Sequence, residues 1–128
     1  MESSSKGTKS SRLVITTLFG AVFGVICMLA SRYGGSYGGV DIAFWPLGVS
    51  FLLHHTVLGF AIGASSLKMN WVTHGALWGA LFGVFLAIGQ ANGPLQPWIA
   101  FVLPVVWGFL IETIATKAFR QPQYIIAT

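Results

Sequence analysis

Hydrophobic residues fall in four uninterrupted runs, Leu13 to Ala30, Ile42 to Ala64, Trp71 to Ile88 and Trp98 to Ala115. Each has about the 17 to 25 residues that a helix needs to cross a hydrocarbon core of roughly 30 Å. Helices are expected because lipid offers no hydrogen-bond partner to an unpaired backbone amide. The pattern predicts an all-α integral membrane protein with four transmembrane helices, over 13–30, 42–64, 71–88 and 98–115. They form a single domain, 13–117, between a polar tail of residues 1–12 and a short tail of residues 118–128. Residues 1–12 are small and polar with nothing to bury, so that tail is expected to be flexible. Ser65 to Asn70 is a short connection, which makes the second and third helices antiparallel neighbours. Gln90 to Pro97 holds turn residues and no charge. Ser31 to Gly39 is rich in glycine, but a phosphate cradle needs a strand before it and a helix behind it, and here the loop joins two membrane helices.

Small residues recur at every fourth position inside the runs. Gly75, Gly79 and Gly83 form one ridge, Gly20 and Gly24 a second, and Gly59 and Gly63 a third, each letting another backbone approach closely. The ridges also repeat in sequence: Leu18-Phe-Gly-Ala-Val-Phe-Gly-Val25 matches Leu77-Trp-Gly-Ala-Leu-Phe-Gly-Val84. Superposing Pro46 on Pro104 brings Phe51-Leu-Leu-His54 onto Phe109-Leu-Ile-Glu112. Two tandem helical hairpins are expected as copies of one unit. Both copies start on the same side, which gives a parallel repeat about an axis along the membrane normal.

Composition agrees with a bilayer setting: 55% of residues are hydrophobic, 8% are charged and the mean hydropathy is +0.76. So little polar surface leaves no room for a soluble catalytic cleft. The net charge of +4 would suit nucleic acid, but its distribution points elsewhere. Lys6, Lys9 and Arg12 precede the first run, Lys68 lies between the second and third, and Lys117 and Arg120 follow the fourth. Arg32 alone falls on the other side, beside Asp41. This is the positive-inside pattern, with both termini cytoplasmic and a prokaryotic plasma membrane the expected location. The basic residues are then topology signals and contacts to anionic lipid. Trp45, Trp71 and Trp98 are expected to be interfacial anchors. Cys27 is the only cysteine, which excludes an internal disulfide. Met28-Leu-Ala30 lacks the small-x-small pattern of a cleavage site, so the first helix is retained.

Glu112 is the side chain most expensive to keep in lipid, at roughly 2.5 to 3.5 kcal/mol on insertion scales. Gly108, Ala115 and Thr116 share its face, so it is expected to look into the bundle. The repeat sets His54 at a matching depth, and the two could form a proton or ion path. His55 shares the stripe of Gly59 and Gly63 and points inward, while His54 lies about 100° around the helix. A structural role explains the same residues: Glu112 bonded to Thr116 or solvated near Lys117, and the histidines holding helices together. His74 sits one turn into the third helix, about ten residues nearer the cytoplasm than His54 or roughly 15 Å, which does not suit paired haem ligands. No metal site and no cofactor are expected, except haem or metal shared with a partner subunit. Ser50, Ser65 and Ser66 have no triad around them, so no enzyme activity is expected from this chain alone. Two functions follow. The first is an accessory or assembly subunit of a larger membrane complex, or a homo-oligomer, joined through the glycine ridges. The second is a small oligomeric transporter or channel working through Glu112 and His54, with His55 beside it.

Overall fold

The computed structural model describes residues 9–33, 48–93 and 95–120. Trp45, Pro46, the expected start of the second helix, most of the first outer loop and most of both tails lie outside them. Four helices run in order: α1 Lys9–Tyr33, α2 Val49–Ala64, α3 Trp71–Gly89 and α4 Pro97–Thr113. No strand occurs among the described residues. Three helices are long and apolar enough to cross a membrane, over Ser11–Ala30, Trp71–Gly89 and Pro97–Ala118; α2 is a shorter apolar helix of 16 residues. These spans are those of an integral membrane protein.

Local chemistry sets several of the ends. Asn70 caps α3 by accepting the amide of Val72 at 3.0 Å, the usual way of satisfying an orphan donor of the first turn. Pro97 opens α4 at a position where its missing N–H costs nothing. α4 passes into a π-helical turn at Ile114–Ala118, and Arg120 then takes a positive φ of 51°. α1 begins a full turn earlier than the hydrophobic run, so Arg12 belongs to the helix and not to a tail. The hydroxyls of Thr16 and Thr17 bond back to the carbonyls of Arg12 at 3.0 Å and Leu13 at 2.7 Å.

The helices pair as two hairpins, α1 with α2 and α3 with α4, and contacts between hairpins are far sparser. Glycine decides where each pair crosses. A Cβ added at Gly20 would meet the carbonyl of His55 and the backbone of Gly59, and one at Gly24 the backbone of Leu52. Gly59 and Gly63 lie against Thr16 and Leu13 in turn. In the second hairpin Gly75 faces Gly108 and Glu112, Gly79 faces Pro104 and Val105, and Gly83 faces Phe101. Later residues of one helix meet earlier residues of its partner, so both hairpins are antiparallel. The nearest atom is often a backbone carbonyl oxygen, an approach that suits Cα–H···O contacts. All seven glycines of the three ridges are thus engaged inside the chain.

The two crossings also relate the hairpins to one another. Gly20 on Gly59 corresponds to Gly79 on Gly108, and Gly24 on Leu52 to Gly83 on Phe101. The glycines of the α1 and α3 segments that match in sequence thus lie at both crossings. On α2 and α4 the facing positions are Gly59 and Gly108, a spacing different from that of Pro46 and Pro104. In the packing register the counterpart of Glu112 is Gly63, and His54 has no acidic equivalent. Each hairpin places one side chain and one glycine at this level, Thr16 against Gly63 and Glu112 against Gly75.

The hairpins meet through an aromatic layer. Phe19, Phe23, Trp78, Phe82 and Trp107 pack on the buried Leu58, Ile62 and Ile111, and Phe23 stacks on Trp107 with centroids 4.7 Å apart. A smaller cluster of Phe51, Leu95 and Ala100 takes in Cys27 and Leu86. Val14, Leu18 and Val22 on α1, and Leu77, Leu81 and Phe85 on α3, are exposed apolar side chains, as expected of faces turned to lipid.

Candidate functional site

Three ionisable side chains of the interior gather at one end of the bundle. Arg12 stands in the first turn of α1, His74 in the first turn of α3 and Glu112 in the last turn of α4, and all three are fully buried. The antiparallel hairpins bring these helix ends together. Nη2 of Arg12 donates to both carboxylate oxygens of Glu112, at 2.7 Å each. Nδ1 of His74 lies 2.9 Å from Oε2 of Glu112. Since a carboxylate only accepts, that nitrogen carries the proton. Thr116 donates its hydroxyl to Oε1 of Glu112 at 3.0 Å. The carboxylate therefore receives hydrogen bonds from α1, from α3 and from its own helix.

Gly75 makes room for this. It sits next to His74, and a Cβ there would run into the Cβ of Glu112 and the carbonyl of Gly108. With neutral His74 the cluster is electrically balanced, one guanidinium against one carboxylate. Balance matters because an uncompensated ion in a low-dielectric interior costs several kcal/mol, about 3–5 when one partner of a buried pair is removed. Nε2 of His74 is buried with no hydrogen-bond partner among the described residues.

The other candidate residues lie elsewhere. Glu112 is joined to Arg12, His74 and Thr116, whereas His54 on α2 packs edge-on to His55 and Phe82, with centroids 5.5 and 5.3 Å away. Its Nε2 also has no hydrogen-bond partner among the described residues. His55 is buried, as its place on the glycine stripe suggests. Nδ1 of His55 donates to the carbonyl of Phe51 at 2.7 Å. That leaves the lone pair of Nε2 to accept the thiol of Cys27, 3.6 Å away. Among the described residues no three His, Cys, Asp or Glu side chains converge in a way that could hold a metal ion. Trp71 stacks on Phe109 at 6.2 Å with the ammonium of Lys117 5.3 Å from its ring, and Trp98 is exposed at the start of α4.

Arg12 and His74 are the members that sequence reasoning assigned differently, to a cytoplasmic tail and to the membrane surface. One signal was available for Arg12. It occupies the same four-spaced stripe as Thr16, Gly20 and Gly24, so a helix begun one turn earlier turns it toward the same neighbour. Comparison with protein-family models, with curated proteins and with solved structures returned no match.

Proposed function

We propose that this chain is a small structural subunit of a membrane assembly. It crosses a prokaryotic plasma membrane four times as two related hairpins, with both termini in the cytoplasm, and works by packing against other membrane subunits or copies of itself. The observation that carries this reading is how the small residues are divided. The glycines are turned inward and taken up by the hairpins, whereas Thr73, Ala76 and Ala80 remain outside. They floor an open groove of about 510 Å³ whose remaining walls are Met69, Leu77, Phe101 and Val105. In lipid, association relies on close packing and not on hydrophobic exclusion, so a shallow groove with a small-residue floor is a favourable seat for another helix. The interface is therefore expected at Ala76 and Ala80 and not at the glycine ridges. Native mass spectrometry after mild extraction tests it. Ala80→Leu should release the partner or the second copy, and a wild-type chain that flies only as a bare monomer overturns the reading.

A second reading, a small oligomeric transporter or channel with a proton or ion path, is favoured by one observation. Glu112 is bonded to an ionisable His74 that retains an unoccupied ring nitrogen. This route would pass through Glu112 and His74, with His54 and His55 deeper in the bundle. Its test is Glu112→Gln in liposomes: pH-dependent fluxes identical to wild type would sink it.

A further inference from the structure

The groove between α3 and α4 is chemically different at its two ends. It begins at Met69, just before α3, and reaches Phe101, near the start of the antiparallel α4. It therefore runs along the hairpin, as a lipid chain does beside a spanning helix. Its walls are apolar, and the one hydroxyl among them, that of Thr73, already donates to the carbonyl of Asn70 at 2.8 Å. The Met69 end is cationic. Lys68 precedes Met69 and is exposed. Nζ of Lys117, also exposed, stands 5.3 Å from the centre of the Trp71 ring, two residues beyond Met69. Among the described residues no free carboxylate balances these two charges, because Glu112, the only acidic one, is buried and bonded to Arg12.

We infer that this groove is a seat for one anionic phospholipid, with an acyl chain on the floor of Ala76 and Ala80 and the phosphate held by Lys68 and Lys117. A furrow that is apolar along the span and cationic at one end matches the two halves of such a molecule. Lysine suits the head, since its apolar stem lies along the protein while the ammonium stays in water. An ammonium has three donors, so contact with the Trp71 ring leaves Lys117 able to bind phosphate. Trp71 itself suits the depth of the headgroups. A zwitterionic lipid fits less well because it brings a cation of its own toward the lysines. What the seat adds to the general attraction of basic residues for anionic lipid is a stoichiometry of one and a fixed place. An incoming helix has to displace the chain, so the lipid regulates the groove that the first functional reading assigns to a partner. In that respect alone the inference rests on that reading.

The experiment titrates the full delipidated chain in a neutral detergent with phosphatidylglycerol or phosphatidylcholine of identical chains, and counts bound lipid per chain by native mass spectrometry. One phosphatidylglycerol should be retained where phosphatidylcholine is not. Lys68→Gln and Lys117→Gln should each lower the preference roughly 5-fold, and the double variant about 30-fold, the effect of one and two lysines beside an anionic headgroup. Both lysines are exposed, so these variants keep the fold. Equal retention of the two lipids by the wild-type chain overturns the inference, as does a preference that survives the double variant. Position is read with a phosphatidylglycerol carrying a photoactivatable acyl chain, in nanodiscs otherwise of phosphatidylcholine. Labelling at Leu77, Phe101 or Val105 that falls in the double variant supports the seat, whereas labelling concentrated on Leu18 and Val22 of α1 overturns it. The two readings fail separately. A chain that keeps its lipid but is never found with a partner or a second copy overturns the assembly reading alone, and one that assembles without any lipid preference overturns this inference alone.

Discussion

Removing one charge from the cluster should be far worse than removing both. Glu112→Leu takes from the buried guanidinium of Arg12 two hydrogen bonds of 2.7 Å, and Nδ1 of His74 loses its acceptor. Breaking a buried pair costs about 3–5 kcal/mol, and orphaning a buried donor costs about 1–3 kcal/mol. These penalties overlap, so a total of about 4 kcal/mol is expected. Arg12→Met alone should cost a similar amount, because it strands the carboxylate. The double variant Arg12→Met with Glu112→Leu leaves no unpaired ion. Only the histidine and threonine donors remain unmatched, for about 1–3 kcal/mol in all. The coupling energy, the cost of the double variant less those of the two single variants, is then on the order of 5–7 kcal/mol in magnitude, roughly 4,000- to 100,000-fold in the folding equilibrium. Reversible unfolding in mixed micelles, followed by helical circular dichroism and tryptophan fluorescence, measures all four corners of the cycle. A double variant as damaged as Glu112→Leu would refute the reasoning, and so would a single variant costing under about 1 kcal/mol.

Further outcomes can be checked with the same preparations. Gly79→Ala drives a Cβ into the backbone of Pro104 and Val105 and should cost at least about 1–3 kcal/mol, because a backbone cannot give way as a side chain can. Gly89→Ala meets nothing within 4 Å and should be neutral or stabilising by up to about 1 kcal/mol; equal effects at the two glycines would show that the ridge is not a crossing point. Cys27→Ser preserves a donor to Nε2 of His55 and should leave the melting temperature nearly unchanged. Cys27→Val removes that donor and should cost about 1–3 kcal/mol. In a Cys27→Ser background, single cysteines placed at the exposed Lys68 and Lys117 should both react with an impermeant maleimide from the cytoplasmic side; opposite sidedness would contradict the topology proposed here.

Much of the fold was legible because hydrophobic length is a direct demand of the solvent. The runs at Leu13, Trp71 and Trp98 match helices long enough to span, and the four-spaced glycines mark faces that do meet a neighbour. Which neighbour they meet was not legible, since a ridge looks the same whether it seats a helix of its own chain or of another. The repeat shows a related limit. The letters Phe-Leu-Leu suggested one register for α2 on α4, but such apolar triplets recur readily in membrane helices, and the glycine crossings at Gly59 and Gly108 have a different spacing. The cluster was half legible. Glu112 announces itself by its cost, whereas Arg12 lies among serines and lysines in a stretch whose composition reads as a polar tail. Its partner is a hundred positions away in sequence, beyond the reach of any local pattern.

That separation also has a consequence for biogenesis. Arg12 is made with the first helix and Glu112 with the last, so at about 5–20 residues per second the guanidinium waits roughly 5–20 s for its counter-ion. Throughout that interval the start of α1 can rest only at the interface, with its charge in water. The insertion of α4 brings the carboxylate that lets the charge withdraw.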